Sequence, residues 1–399
     1  MGRKGLDLGP VSIQNPNNPA FYCGLACLMF ALFQGKWRPI PAFRLILLYS
    51  GWCLLTDLFR GENTNDSLKW TLTNEIFLLL FLFGASQILL KESILRWNVY
   101  IYVFLATLIG LYCTYEHSQY GFGEYFARYT FWQTKGRLGD FFLCIFSTSL
   151  GLLIAMWRKP FYLVCFGTST FLSVVGLLFS YDRTAYLGMI AACGVIFLFL
   201  FRRGWIHVLV LIFLVCILAL LGTRNYLSNN MYEIDIPRRI RSIFDVQDAT
   251  LRNRVLIWEG TLKMIAAHPW IGVGEVNYFQ VYREFKSPKE MDSRRHVKFH
   301  AHNIFLHAAA TKGIPGAVLF SSILWVYLRW LWGPGTSRES PLAWGLGLGA
   351  LAAFSGHIVA GLGDVPRFIN VLTLVLQLVW AHTVSYQDTS NISSETRET

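Results

Sequence analysis

Two histidines that stand one residue apart are the strongest candidates for chemistry in this sequence. His300 and His302 end a polar stretch, and an apolar run resumes at Ile304. In an extended backbone alternate side chains point to the same side, so both imidazoles would face one way. Histidine is the side chain best suited to proton transfer near neutral pH. We therefore predict that this pair supplies a general base.

Two other interpretations of the histidine pair stay open. A His-x-His pair can bind a metal ion, but no Asp, Glu or Cys lies nearby in the sequence to complete a ligand set. Either imidazole could instead bond the polar end of the helix that follows. Asn303 is well placed to cap that helix. The sequence favours a base over these alternatives and predicts no metal site.

An arginine in a short polar turn is a candidate for binding an anion. Arg183 lies in the segment 180–184, which separates two apolar runs. Its guanidinium presents planar donors that match phosphate oxygens. A salt bridge with the adjacent Asp182, or contact with lipid headgroups, would be the ordinary structural role. The functional alternative is a phosphate-binding arginine at the membrane surface.

A second arginine lies on a predicted helix. The segment 250–267 has helical periodicity and ends at His268-Pro269. At about 100° per residue, Arg254 projects at the edge of the apolar face, where a buried guanidinium needs a carboxylate or phosphate partner. Arg252 falls on the opposite face with Glu259 and Lys263. The predicted apolar face contains Leu251, Val255, Trp258, Leu262 and Ile265.

The elements that position these residues are membrane helices. The chain has 399 residues, of which 54% are hydrophobic and 15% charged, and its mean hydropathy is +0.42. A soluble domain would carry more charge and fewer long apolar runs. We predict an all-α, polytopic transmembrane helix bundle of about eleven or twelve spans. The predicted spans are 43–59, 72–90, 97–115, 138–156, 161–179, 184–201, 206–222, 303–328, 342–360 and 367–384, with a marginal one at 20–34.

The distribution of basic residues predicts the topology. Short loops near residues 36–44, 91–96, 158–159, 202–203 and 329–338 are basic and alternate along the chain, so they should share the cytoplasmic side. The long segment 223–302 then faces outward, although it holds 13 Lys or Arg and 9 Asp or Glu. An anionic ligand would explain this charge. The net charge of +11 fits membrane contact better than nucleic-acid binding.

This topology divides the chain into four parts. Residues 1–222 and 303–384 would form the N-terminal and C-terminal transmembrane helices. Residues 223–302 would form one long, helical outward loop that carries catalytic residues, and 385–399 a disordered cytoplasmic tail.

Further candidates for the site flank the histidines and the last outward turn. Asp364 and Arg367 lie together in that turn, where they would form a salt bridge or contact substrate. Lys298 lies two residues before His300, and with Arg252 it adds positive charge to the long loop. Residues 312–316, Lys-Gly-Ile-Pro-Gly, predict a bend or a tight packing point in the span that begins at 303.

Taken together, these motifs resemble the O-antigen ligase and O-antigen polymerase superfamily, most closely the O-antigen ligases. The resemblance covers roughly residues 180–370 and rests on the order and spacing of the motifs. They are the Arg183 turn, Asn253-Arg254-Val255-Leu256-Ile257-Trp258-Glu259, His268-Pro269-Trp270-Ile271-Gly272-Val273-Gly274, His300-Ala301-His302-Asn303 and Lys312-Gly313-Ile314-Pro315-Gly316.

The resemblance implies a glycosyltransferase of the bacterial inner membrane with its active site facing the periplasm. Its donor would be a glycan on undecaprenyl pyrophosphate and its acceptor lipid A–core. The reaction would invert the anomeric centre without metal, ATP or another cofactor. Arg183 and Arg254 match the arginines that hold the pyrophosphate. His302 matches the proposed base and His300 a second histidine.

Two other functions remain open at this stage. An O-antigen polymerase would use the same donor with another lipid-linked glycan as acceptor. No sequence feature of the acceptor site distinguishes a polymerase from a ligase. A transporter would place charges in the middle of spans and pair its broken helices. The clear charges of this sequence lie at the outer ends of spans instead, which favours the enzyme.

Overall fold

The computed structural model describes Met29 and eight longer stretches of the chain. In the described residues the backbone forms helices and turns without strands, which confirms the predicted all-α class. The predicted span 206–222 lies outside these residues. The described residues are Met29, 40–59, 63–87, 92–120, 135–202, 249–289, 300–336, 340–365 and 374–383.

Six of the described helices are long and apolar enough to cross a membrane, as expected for a polytopic bundle. Each overlaps one of the predicted spans. These stretches are Leu95–Tyr115, Leu138–Met156, Pro160–Phe179, Arg183–Phe201, Ile304–Trp332 and Pro341–Ala360.

The chain divides into two compact units. Unit 1 contains residues 1–88 and 246–327, and unit 2 contains residues 89–245 and 328–399. Helix α10, Ile304–Trp332, belongs mostly to unit 1 and ends in unit 2.

The described helices of unit 2 pack closely because small residues line their contacts. Gly151 lies against the backbone of Gly345 and Gly349, and Gly188 lies against Gly356. A side chain at these positions would separate the helices, as in other membrane helix pairs. The helices of unit 2 are α4 (Glu92–Tyr120), α5 (Lys135–Met156), α6 (Pro160–Phe179), α7 (Arg183–Phe201), α11 (Pro341–Ala360) and α12 (Leu374–Thr383).

Unit 1 combines helices from two distant parts of the sequence. The predicted span 72–90 is not one regular α-helix, because residues Thr71–Ile76 form a π-helical segment between α2 and α3. The helices of unit 1 are α1 (Phe43–Phe59), α2 (Thr64–Trp70), α3 (Phe77–Gln87), α8 (Ala249–Ala267), α9 (Tyr278–Phe285) and the first part of α10.

Helix α10 is kinked where the bend was predicted. Gly313 has φ 72° and ψ 172°, which is not helical, and Pro315 follows two residues later. Proline has no N–H, so it cannot bond the carbonyl of Thr311 four residues earlier. That carbonyl accepts a hydrogen bond from the Gly274 N–H at 3.0 Å instead.

The segment 269–274, called here the docking loop, forms backbone hydrogen bonds with the kinked part of α10. Val273 N–H donates to the Ala310 carbonyl at 2.8 Å, and Ile314 N–H donates to the Pro269 carbonyl at 2.8 Å. The backbone polar groups exposed by the kink are therefore satisfied by the docking loop. The sequence motifs 268–274 and 312–316 thus pack together as one structural element.

Close backbone approach explains the glycine at the kink. A Cβ atom on Gly313 would overlap the Trp270 carbonyl oxygen, and its backbone conformation is one that only glycine adopts readily.

We expect Gly313→Ala to lower the thermal melting temperature of the purified protein in detergent. The backbone strain alone costs about 1–3 kcal/mol, and displacement of the docking loop adds to it. Gly51→Ala is the matched control, because a Cβ there meets nothing within 4 Å. Equal melting temperatures for the two variants would contradict the described contact.

Candidate active site

The histidine pair lies in a tight turn at the start of α10. His302 has φ 52°, in the left-handed region, which a non-glycine residue adopts only when its surroundings hold it there. Asn303 then caps the helix, because its Oδ1 accepts hydrogen bonds from the N–H groups of Phe305 at 3.0 Å and Leu306 at 3.1 Å. The predicted cap is confirmed.

The two imidazoles are neighbours. The ring centroids of His300 and His302 are 4.2 Å apart, and the His302 N–H lies 3.3 Å from His300 Nδ1, to which it donates. Both side chains are half-buried. The sequence reasoning placed them together through an extended backbone, whereas the structure does so through the left-handed turn at His302.

A third histidine and a glutamate stand behind this pair. Ala301 N–H donates to His307 Nδ1 at 3.4 Å, and His307 Nε2 lies 2.8 Å from Glu275 Oε1. The rings of His300 and His307 have their centroids 6.3 Å apart. Glu275 directly follows the docking loop, so the bonds at the kink bring it to His307.

The surroundings of Glu275 keep its carboxyl group ionised. Burial alone would raise the pKa of Glu275, but the adjacent His307, Lys312 and His300 outweigh this effect and hold it below the ordinary value. A negative charge therefore lies behind the imidazoles at neutral pH.

Helices α8 and α9 support His307 from one side. The Tyr278 ring meets the His307 ring edge-on at 5.0 Å between centroids, and the Tyr278 hydroxyl lies 2.9 Å from Thr261 Oγ1 of α8. Gly260 makes room for Tyr282, which stacks on Tyr278 at 5.8 Å. Through Tyr278, α8 (the helix predicted over 250–267) is therefore linked to His307.

The predicted apolar face of α8 is partly wrong. Val255 and Leu262 are 52% and 54% exposed. The reason is that α9 packs against Gly260 and Thr261, which a hydrophobic pattern does not select. The buried residues of α8 are Ile257, Gly260, Thr261, Met264 and Ile265.

The predicted arginines occupy both units. Arg254 lies on α8 of unit 1 and is half-buried, while Arg252 is exposed. Arg183 is the first residue of α7 in unit 2 and is also half-buried. It follows Asp182, which caps α7 by accepting from the Thr184 N–H at 3.0 Å.

The remaining candidates divide between described and undescribed residues. Asp364 lies in the turn after α11 in unit 2, where its Oδ1 accepts from the Val365 N–H at 2.8 Å. Arg367 and Lys298 lie outside the described residues. Among the predicted site residues, the structure thus brings His300 and His302 into contact.

A buried ion pair near the kink was not predicted. Lys312 is 1% exposed, and its Nζ lies 3.2 Å from Glu75 Oε1 and 3.2 Å from Thr71 Oγ1. Thr71 in turn donates to Asp57 of α1. Both Thr71 and Glu75 belong to the π-helical segment, a distortion that is frequent where helices carry functional or polar contacts.

The comparison with known families agrees with the motifs. Residues 168–321 match the family model described as O-antigen ligase, which confirms the resemblance to the O-antigen ligase family. The matched segment contains Arg183, Arg254, the docking loop, the histidine pair and Lys312. The family implies an enzyme of the glycosyltransferase class. The search of curated proteins found no match.

We expect Lys312→Met to destabilise the purified protein strongly. Removing one partner of a buried pair leaves the Glu75 carboxylate uncompensated, which costs about 3–5 kcal/mol. The double variant Lys312→Met with Glu75→Gln should recover part of the loss in melting temperature.

The control for this pair is a Lys–Glu bond of the same kind at the surface. Lys263 Nζ lies 2.7 Å from Glu259 Oε1, with both side chains more than half exposed. Because solvent screens such a pair, Lys263→Met should change the melting temperature little. The assignment of Lys312 would be refuted by equal effects of the two single variants.

Proposed function

We propose that this protein is an O-antigen ligase that transfers a polysaccharide from undecaprenyl pyrophosphate to a sugar hydroxyl of lipid A–core. The observation that carries the proposal is the imidazole pair at the start of α10, within the segment that matches the O-antigen ligase family. The reaction would take place at the periplasmic face of the bacterial inner membrane.

His302 is the general base in this mechanism. The acceptor oxygen attacks the anomeric carbon while the bond from that carbon to the pyrophosphate oxygen breaks. The hydroxyl proton passes to His302, and undecaprenyl pyrophosphate leaves with the bonding electron pair. Attack from the face opposite the leaving group inverts the anomeric centre. Such proton transfer contributes about 10²–10⁴-fold to rate.

Arg183 and Arg254 are proposed to bind the pyrophosphate. A pyrophosphate is already a good leaving group, so it needs charge neutralisation more than protonation. Fixed guanidinium groups stabilise negative charge as it develops and supply a role that a metal ion has in other enzymes. Binding of both lipid-linked substrates at one membrane surface would raise the rate further, because it orients them for reaction.

The experiment that tests the proposal is an in vitro transfer assay with purified protein, lipid-linked donor and lipid A–core. Glycan joined to lipid A–core would support the ligase. Glycan joined to a second lipid-linked glycan would identify a polymerase instead, and no transfer to either acceptor would refute the proposal.

We expect His302→Ala to lower the transfer rate by about 10²–10⁴-fold and to leave donor binding intact, because the arginines remain. The measurement is single-turnover transfer together with binding of the lipid-linked donor. His268→Ala is the matched control, since His268 is an exposed histidine at the end of α8. A wild-type rate for His302→Ala would remove the base assignment.

Arg254→Lys should reduce the transfer rate on the order of 10- to 100-fold, the equivalent of one charge-assisted hydrogen bond. Lysine keeps the charge but not the planar pair of donors. The matched change is Arg283→Lys on α9, where the arginine is exposed and lies over the Phe279 ring. Equal rates for the two variants would indicate that Arg254 is structural.

A further inference from the structure

We propose that Glu275 and His307 are positioning residues for the base, with His307 holding the 300–302 turn and Glu275 holding the His307 ring. This inference rests on the proposed function, because it assigns a task to residues behind His302. Neither residue touches the reacting groups in this proposal, so both act through the histidine pair.

The hydrogen bonds favour one tautomer of His307. Its Nδ1 accepts from the Ala301 N–H, so that nitrogen carries no proton. The proton of the ring is then on Nε2, which donates to Glu275 Oε1 at 2.8 Å. A carboxylate can only accept a hydrogen bond, and it therefore selects this tautomer.

The selected tautomer shapes the turn that presents His302. Ala301 lies between His300 and His302 and is fully buried. Its N–H bond to His307 fixes the backbone next to the left-handed residue His302. The His302 N–H then donates to His300 Nδ1. The carboxylate of Glu275 is thus linked to the proposed base through two imidazoles and one buried peptide group.

The charges around His307 come from several elements. Glu275 approaches from the end of the docking loop and Tyr278 from α9, while His300 belongs to the turn before α10. Lys312 of α10 also acts electrostatically on Glu275. Lys312 has its own close partner in Glu75.

Glu275 is the carboxylate that bonds His307. Its side chain is 19% exposed and that of His307 8% exposed, so solvent screens their interaction weakly. Glu275 therefore fixes the orientation of the His307 ring.

We expect Glu275→Gln to lower kcat by about 10- to 100-fold, the range known for partners that orient metal-binding histidines, with little change in KM for the donor. The glutamine amide can donate to Nε2, which would allow the His307 proton to move to Nδ1 and break the Ala301 bond.

The measurement is kcat and KM for transfer, together with the melting temperature of each variant. Glu259→Gln is the matched control, because it removes an exposed carboxylate of the same unit. A fall in kcat that is accompanied by a rise in KM for the donor and by a loss of melting temperature would show a purely structural role for Glu275 and overturn the inference.

Two variants of His307 test the same inference independently of the folding of Glu275→Gln. An amide can both accept from Ala301 and donate to Glu275, so His307→Gln should retain much more activity than His307→Leu, which can do neither. Equal activity of these two variants would contradict the positioning role.

Failure of this inference is distinguishable from failure of the proposed function. If the wild-type protein transfers no glycan, or His302→Ala transfers at the full rate, the proposed function fails and the inference falls with it. If the wild type is active, His302→Ala is inactive, and Glu275→Gln matches the wild type in kcat, only the positioning role is overturned.

Discussion

The backbone bonds between the docking loop and the kink of α10 are the constraint on which the rest of unit 1 depends. Pro315 cannot bond the Thr311 carbonyl, and the Gly274 N–H takes that place. Val273 and Ile314 also form backbone hydrogen bonds between the docking loop and α10. The three bonds together fix the position of the loop along the helix. The residue that follows it, Glu275, is thereby brought to His307, and through His307 to the turn that holds His302.

Buried charge in unit 1 is paired on both sides of this contact. Glu275 bonds His307, and Glu75 bonds Lys312. Lys312 lies five residues after His307 on α10. Ionisable groups buried in a protein are costly unless they are paired. Here the Lys312 pair joins α10 to the π-helical segment and α1, while the His307 pair joins it to the docking loop and α9. The same helix thus carries a structural ion pair and the support of the proposed base.

The sequence predicted the local structure well. The helix predicted over 250–267 is observed at Ala249–Ala267, and the cap at Asn303 and the bend at 312–316 are present. Each of these follows from propensities and periodicities within a short window. The resemblance of the motifs to a known family is confirmed for the same reason, since their order is readable along the chain.

Long-range pairing could not be predicted in this way. Glu75 and Lys312 are separated by more than two hundred residues, and nothing in either neighbourhood identifies the other. Glu275 and His307 meet where the docking loop bonds the backbone groups left free at the kink of α10. The apolar face of α8 was misassigned because Gly260 and Thr261 contact α9 through size and hydrogen bonding rather than hydrophobicity.

Amide hydrogen exchange of Val273, Gly274 and Ile314 in the purified protein is the most direct measurement of the central contact. All three N–H groups donate across it at 2.8–3.0 Å, so we predict that they exchange slowly and as one group. Exchange of these amides at the rate of an unstructured peptide would show that the docking loop is not held at the kink, and would contradict the positioning of Glu275 and of the histidine turn.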